Sequence, residues 1–125
     1  MVESGCTFAN AIANFPGYDG TSKFCGCPNA ATDGYNCAHL VSKALDNAGF
    51  SIKNAHDTIN ARCANKLPIR AVDVRNWVAA NTACTKHDSH KKGKSTFFYC
   101  KGSNGQEHCG FIDGDGNVKD TGYGV

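Results

Sequence analysis

Cys37, His108 and Asp120, in that order along a chain of 125 residues, are the side chains whose types and spacing could do chemistry. A thiol attacks only as its thiolate, and the unpaired N–H groups and dipole of a helix N-terminus favour that form. The stretch "YNCAHLVSKALDNAGF" (35–50) puts Cys37 at such a start, immediately ahead of an amphipathic pattern. A thiol nucleophile also needs a base within hydrogen-bond reach and a group that orients the base. His108 opens a predicted strand, and Asp120 falls on the next one, across a tight Asp-Gly/Gly-Asn turn. With those strands in register, Asp120 faces one ring nitrogen of His108 and leaves the other for the thiol. Singly, each residue has a plainer role: one disulfide half among eight cysteines, a strand histidine, a surface carboxylate. Their order and predicted settings give the combination its weight.

The elements that must position them follow from periodicity. Leu40, Val41, Ala44, Leu45 and Ala48 share one helical face, with Asn36 as cap, Gly49 as stop, and Ser42, Lys43, Asp46 and Asn47 on the polar side. Residues 4–15 read as a first helix capped by Ser4, and 16–34 as a Gly/Pro/Asn/Asp-rich ordered loop. A short helix is expected over 55–64. A longer one is expected from Pro68 to Asn81, anchored by Ile69, Val72, Trp77 and Val78. Beyond it the period changes to that of strands: "STFFYC" (95–100), a turn at 101–106, "EHCGFI" (107–112), a turn at 113–117, then "VKD" (118–120). Helices first and an antiparallel β-meander last predict a single α+β domain over residues 1–125.

No apolar run spans a bilayer, so no transmembrane segment is expected. After Met1, "VESGC" has neither a basic nor an apolar leader region, as in a mature domain carrying an added start methionine. Eight cysteines point to an oxidising, extracellular setting and a disulfide-stapled fold. A structural zinc site is disfavoured because only Cys25 and Cys27 form a short pair; the remaining cysteines are scattered. With Cys37 free, seven cysteines make three pairs and leave one over. Cys109 alternates with His108, so its side chain is expected to face away from the site and pair with Cys100 or a helix cysteine. The run "KHDSHKKGK" (86–94) reads as a solvated loop or as an electrostatic contact to an anionic surface such as a bacterial envelope. Its lysines lack interleaved aromatics, so no nucleic-acid partner is expected.

"GYNCAHLV" resembles the Gly-x-Asp-Cys-Ser-Gly-Leu-Val signature of the NlpC/P60 cysteine peptidases, matching at Gly34, Cys37, Leu40 and Val41. "HCGFIDGDGNVKD" is similar to that family's His-Val-Gly-Ile-Tyr-x-Gly-x-Gly segment, with Asp120 in its third polar position. Asn36 stands where the family has Asp, and Ala38-His39 where it has Ser-Gly. The resemblance implies a papain-like core and a secreted, monomeric, cofactor-free and metal-free hydrolase of bacterial peptidoglycan stem peptides. Cys37 would be the nucleophile, His108 the base and Asp120 its orienter, with Tyr18, Tyr35 and Asn36 contacting substrate. The Cys37 N–H would serve as an oxyanion donor. Amidase effectors delivered between competing bacteria are similar in the same features. "NCAHLV" also resembles the Asn-Cys-Glu-His-Phe-Val hexamer of lecithin–retinol acyltransferase-like enzymes, although in those the His precedes the Cys. The alternatives are therefore a thiol acyltransferase, or a non-enzymatic disulfide-rich binding protein or toxin with Cys37 bonded.

Overall fold

The computed structural model describes residues 8–17, 25–26, 37–53, 61–82 and 93–120. Strand-forming alternation in the last third builds an antiparallel sheet of three strands, β1 (Thr96–Lys101), β2 (Glu107–Ile112) and β3 (Val118–Lys119), in the order β1-β2-β3. Its register follows from two tight turns. In the first, Asn104 Oδ1 accepts the Gln106 N–H at 2.9 Å, and Gly105 takes a φ of +83° that side chains disfavour. In the second, Asp113 Oδ1 accepts the N–H groups of both Asp115 and Asn117 at 2.9 Å. The resulting pairs run from Thr96 opposite Ile112 to Lys101 opposite Glu107, and β3 pairs Lys119 with Phe111. Asp120 lies one residue beyond β3 rather than on it.

Three helices accompany the sheet, α1 (Ala9–Ala13), α2 (Cys37–Asn47) and α3 (Ala71–Asn81); α2 and α3 pack on it, and α1 packs on α2. Leu40, Val41, Ala44 and Leu45 of α2 are fully buried, and the helix packs on β2. The helix stops where Gly49 turns left-handed (φ +94°), with Gly49 N–H donating to the Asp46 carbonyl and Phe50 N–H to the Leu45 carbonyl, both at 3.0 Å. Phe111 from β2 is the centre of the core, its ring 5.5 Å from Phe8, 6.1 Å from Phe97 and 6.2 Å from Phe15.

Several expectations change. The first helix begins at Ala9, after Phe8, and takes no side-chain cap; Ser4 lies outside the described residues. Ser42 is buried, not on the polar face, because its hydroxyl donates to the Pro68 carbonyl at 2.6 Å. Within the helix expected at 55–64, the described residues 61–64 are not helical. There the Cys63 N–H donates to the Leu67 carbonyl at 2.9 Å and the Lys66 N–H to the Cys63 carbonyl at 2.8 Å. Pro68 pairs with Arg62 in an isolated bridge, and α3 starts only at Ala71 because Arg70 is extended. That delay exposes Ile69 and half-exposes Val72, so Ala71 and Val74 join Trp77 and Val78 as the buried anchors.

The described residues contain no disulfide: Cys25, Cys37, Cys63, Cys100 and Cys109 are all free thiols. Cys100 and Cys109 cannot pair as expected, because Cys109 lies opposite Tyr99 and Cys100 opposite His108, on opposite faces of the sheet. No described helix is long and apolar enough to cross a membrane.

Candidate functional site

Cys37 is the first residue of α2, and the packing of that helix on β2 brings it to the strand that carries His108. The first-turn N–H groups of any helix lack intrahelical acceptors, which gives this position its preference for negative charge. His108 is 7% exposed and Cys37 9%, so both are largely shielded from water. His108 Nε2 lies 2.9 Å from Asp120 Oδ2. Its other nitrogen, Nδ1, is buried and has no hydrogen-bond partner. The ring is thus held through one nitrogen with the second available to the thiol. His108 also acts on Cys37 through its side chain's polarity and its charge, both of which favour the thiolate.

Local sequence explains this alignment. Continuing the β2–β3 register by one step sets Asp120 across from Gly110, on the same face as His108. A Cβ on Gly110 would sit 2.8 Å from the Lys119 carbonyl oxygen and 2.8 Å from the Phe98 ring. Only glycine allows β3 and Phe98 to close in at this point. Phe98 then packs beside the imidazole, with ring centroids 5.7 Å apart. The periodicity marks Phe98 as a strand residue and contains no signal that it flanks His108.

The main correction concerns Cys109. Its side chain is buried against Cys37 rather than facing away. Hydrogen bonds from the Cys109 thiol and from its backbone N–H, together with His108, outweigh burial and hold Cys37 down at about 6. The reciprocal interaction and complete burial push the Cys109 thiol well up. Cys109 therefore stays protonated and donates to a Cys37 thiolate. Strict alternation missed this, because a helix end seated over a strand can meet two successive residues of it.

The expected substrate contacts Tyr18, Tyr35 and Asn36 lie outside the described residues, as do Cys6, Cys27, Cys84 and residues 86–92 of the lysine-rich run. A second cluster lies nearby. Cys25, His39 and Cys63 are all buried, and their ligand atoms lie within 4.8 Å of one another. Burial lowers the pKa of His39. No protein-family model matches the chain, and neither does any curated protein or solved structure.

Proposed function

We propose that this chain is a cysteine hydrolase that cleaves amide bonds through Cys37, His108 and Asp120. The observation that carries this reading is the His108 ring, fixed at Nε2 by Asp120 and open at a buried Nδ1 toward a thiol held at about 6. Near neutral pH the Cys37 sulfur attacks the amide carbonyl as thiolate, forming a tetrahedral oxyanion beside the first N–H groups of α2. Nδ1–H of the imidazolium protonates the departing amine, leaving a thioester on Cys37. The neutral ring then takes a proton from water, which attacks the thioester; the acid departs and the thiolate is restored. Asp120 keeps Nε2 as the protonated nitrogen throughout and stabilises the charged ring.

The substrate class rests on the likeness of "GYNCAHLV" and "HCGFIDGDGN" to the peptidase signatures. The amide belongs to a bacterial peptidoglycan stem peptide, which places the enzyme's work outside the cell that makes it. The test is digestion of purified peptidoglycan by the wild type, Cys37→Ala and His108→Ala, with mass spectrometry of the soluble fragments. Fragments with new amino termini from the wild type alone support the proposal, and their masses identify the bond. Undiminished release by Cys37→Ala would overturn it. Turnover of lipid esters but not of peptidoglycan would point instead to the acyltransferase chemistry.

A further inference from the structure

We propose that Cys25, His39 and Cys63 form a zinc site that ties the segment before α2 and the 61–67 turn to the first turn of that helix. The donor set is two thiols and an imidazole, the soft and borderline ligands that suit zinc. Their exposures are 7%, 3% and 5%, so a bound ion would be shielded from bulk water. The separation of the sulfurs discriminates between possible roles. Cys25 Sγ and Cys63 Sγ stand 3.7 Å apart. Two zinc–sulfur bonds of about 2.3 Å at a tetrahedral angle set their sulfurs about 3.8 Å apart. A disulfide needs about 2.05 Å.

The surroundings are also those of a ligand set held in advance. Asn65 Nδ2 donates to Cys25 Sγ at 3.3 Å and to the Cys25 carbonyl at 2.9 Å, an outer contact that would orient and stabilise a metal-bound thiolate. Arg62 Nη1 donates to the Lys66 carbonyl at 2.6 Å and to the Ile52 carbonyl at 3.2 Å, fixing the turn that presents Cys63. The Ser42–Pro68 hydrogen bond fastens the same segment to α2. The three ligands therefore come from separate parts of the chain to one point without relying on the ion. Three protein ligands leave one tetrahedral position for a water molecule or another ligand. The sequence conceals the site because its ligands are separated by 14 and 24 residues, far from finger spacing.

The inference does not depend on the hydrolase reading, since neither Cys37 nor His108 is a ligand. Its test uses the full chain, purified with reductant and without chelator. Zinc is measured by plasma mass spectrometry, and cobalt(II) is titrated as a spectroscopic stand-in. One zinc per chain is expected, together with thiolate-to-cobalt charge-transfer absorption and the visible bands of tetrahedral cobalt. Cys25→Ser and Cys63→Ser should each remove about half of the charge-transfer intensity, because each deletes one of two thiolates. Asn65→Ala removes only the outer contact, so it keeps the ligands; it should weaken zinc binding by roughly 10- to 100-fold. Cys100→Ser, at an exposed cysteine outside the cluster, should change nothing. The proposal fails if the reduced wild type binds less than about half an equivalent of zinc, or if Cys63→Ser binds it as tightly as the wild type. It also fails if zinc-supplemented protein prepared without reductant carries a Cys25–Cys63 disulfide by peptide mapping.

Discussion

The reactivity of Cys37 depends on which groups face its sulfur. Hydrogen bonds from Cys109 are the largest influence, ahead of His108, and together they prevail over burial. Alkylation of Cys37, followed by mass spectrometry across pH, should reach half its plateau rate near pH 6, whereas an unperturbed thiol does so near about 8.5. Cys109→Ala should move that midpoint upward, and an unmoved midpoint would show that Cys109 does not hold the thiolate. Stability follows the same sign. A thiol whose folded pKa is depressed adds stability above its unfolded pKa and loses that contribution as pH falls through about 6. Asp120→Asn keeps the shape but weakens control over which ring nitrogen carries the proton. It should lower kcat by roughly 10²- to 10⁴-fold with a smaller change in KM. An equal loss appearing only in KM would remove Asp120 from its positioning role.

At the scale of elements, the β2–β3 ribbon is the device that brings His108 and Asp120 together. Gly110→Ala forces its methyl against the Lys119 carbonyl and the Phe98 ring, so either β3 or Phe98 must move. The expected cost is about 1–3 kcal/mol in urea unfolding, accompanied by loss of activity as Asp120 is displaced. Adding Phe98→Ala should recover only part of the stability, because the backbone clash with Lys119 remains. Asp113→Ala removes the acceptor of two turn N–H groups, and Asp113→Asn retains an oxygen there. Activity should therefore fall in the order wild type, Asn, Ala, measured as initial rates at one pH. The α2 stop, the two turns and all three strand positions are legible in the sequence because each depends on residues close along the chain. The late start of α3 is not. Pro68 and Ile69 suit a first helical turn, but the Arg62–Pro68 bridge and the Ser42 hydrogen bond hold them extended.

For the whole molecule, α2 and β2 form one unit around Phe111, whose ring meets three aromatic residues, Phe8 and Phe15 on either side of α1 and Phe97 on β1. Phe111→Ala should destabilise the fold by about 3–5 kcal/mol, seen as a lower urea midpoint with little change in slope. The same deletion loosens the contact between α2 and β2, so activity should fall below the level that the folded fraction alone accounts for. Normal activity per folded molecule would separate the core from the alignment of the site.

Local pattern alone determined the amphipathic α2 with Cys37 at its start, the meander, and a turn short enough to join His108 to Asp120. Those features depend on side-chain period and turn residues, which act over a few positions. Tertiary structure decided which groups the thiol meets. The seating of α2 over β2 turned Cys109 from an expected disulfide half into the strongest influence on Cys37. It also gathered Cys25, His39 and Cys63, which have no short-range spacing to announce them. Convergence of distant residues depends on how whole elements pack, and no local period encodes it.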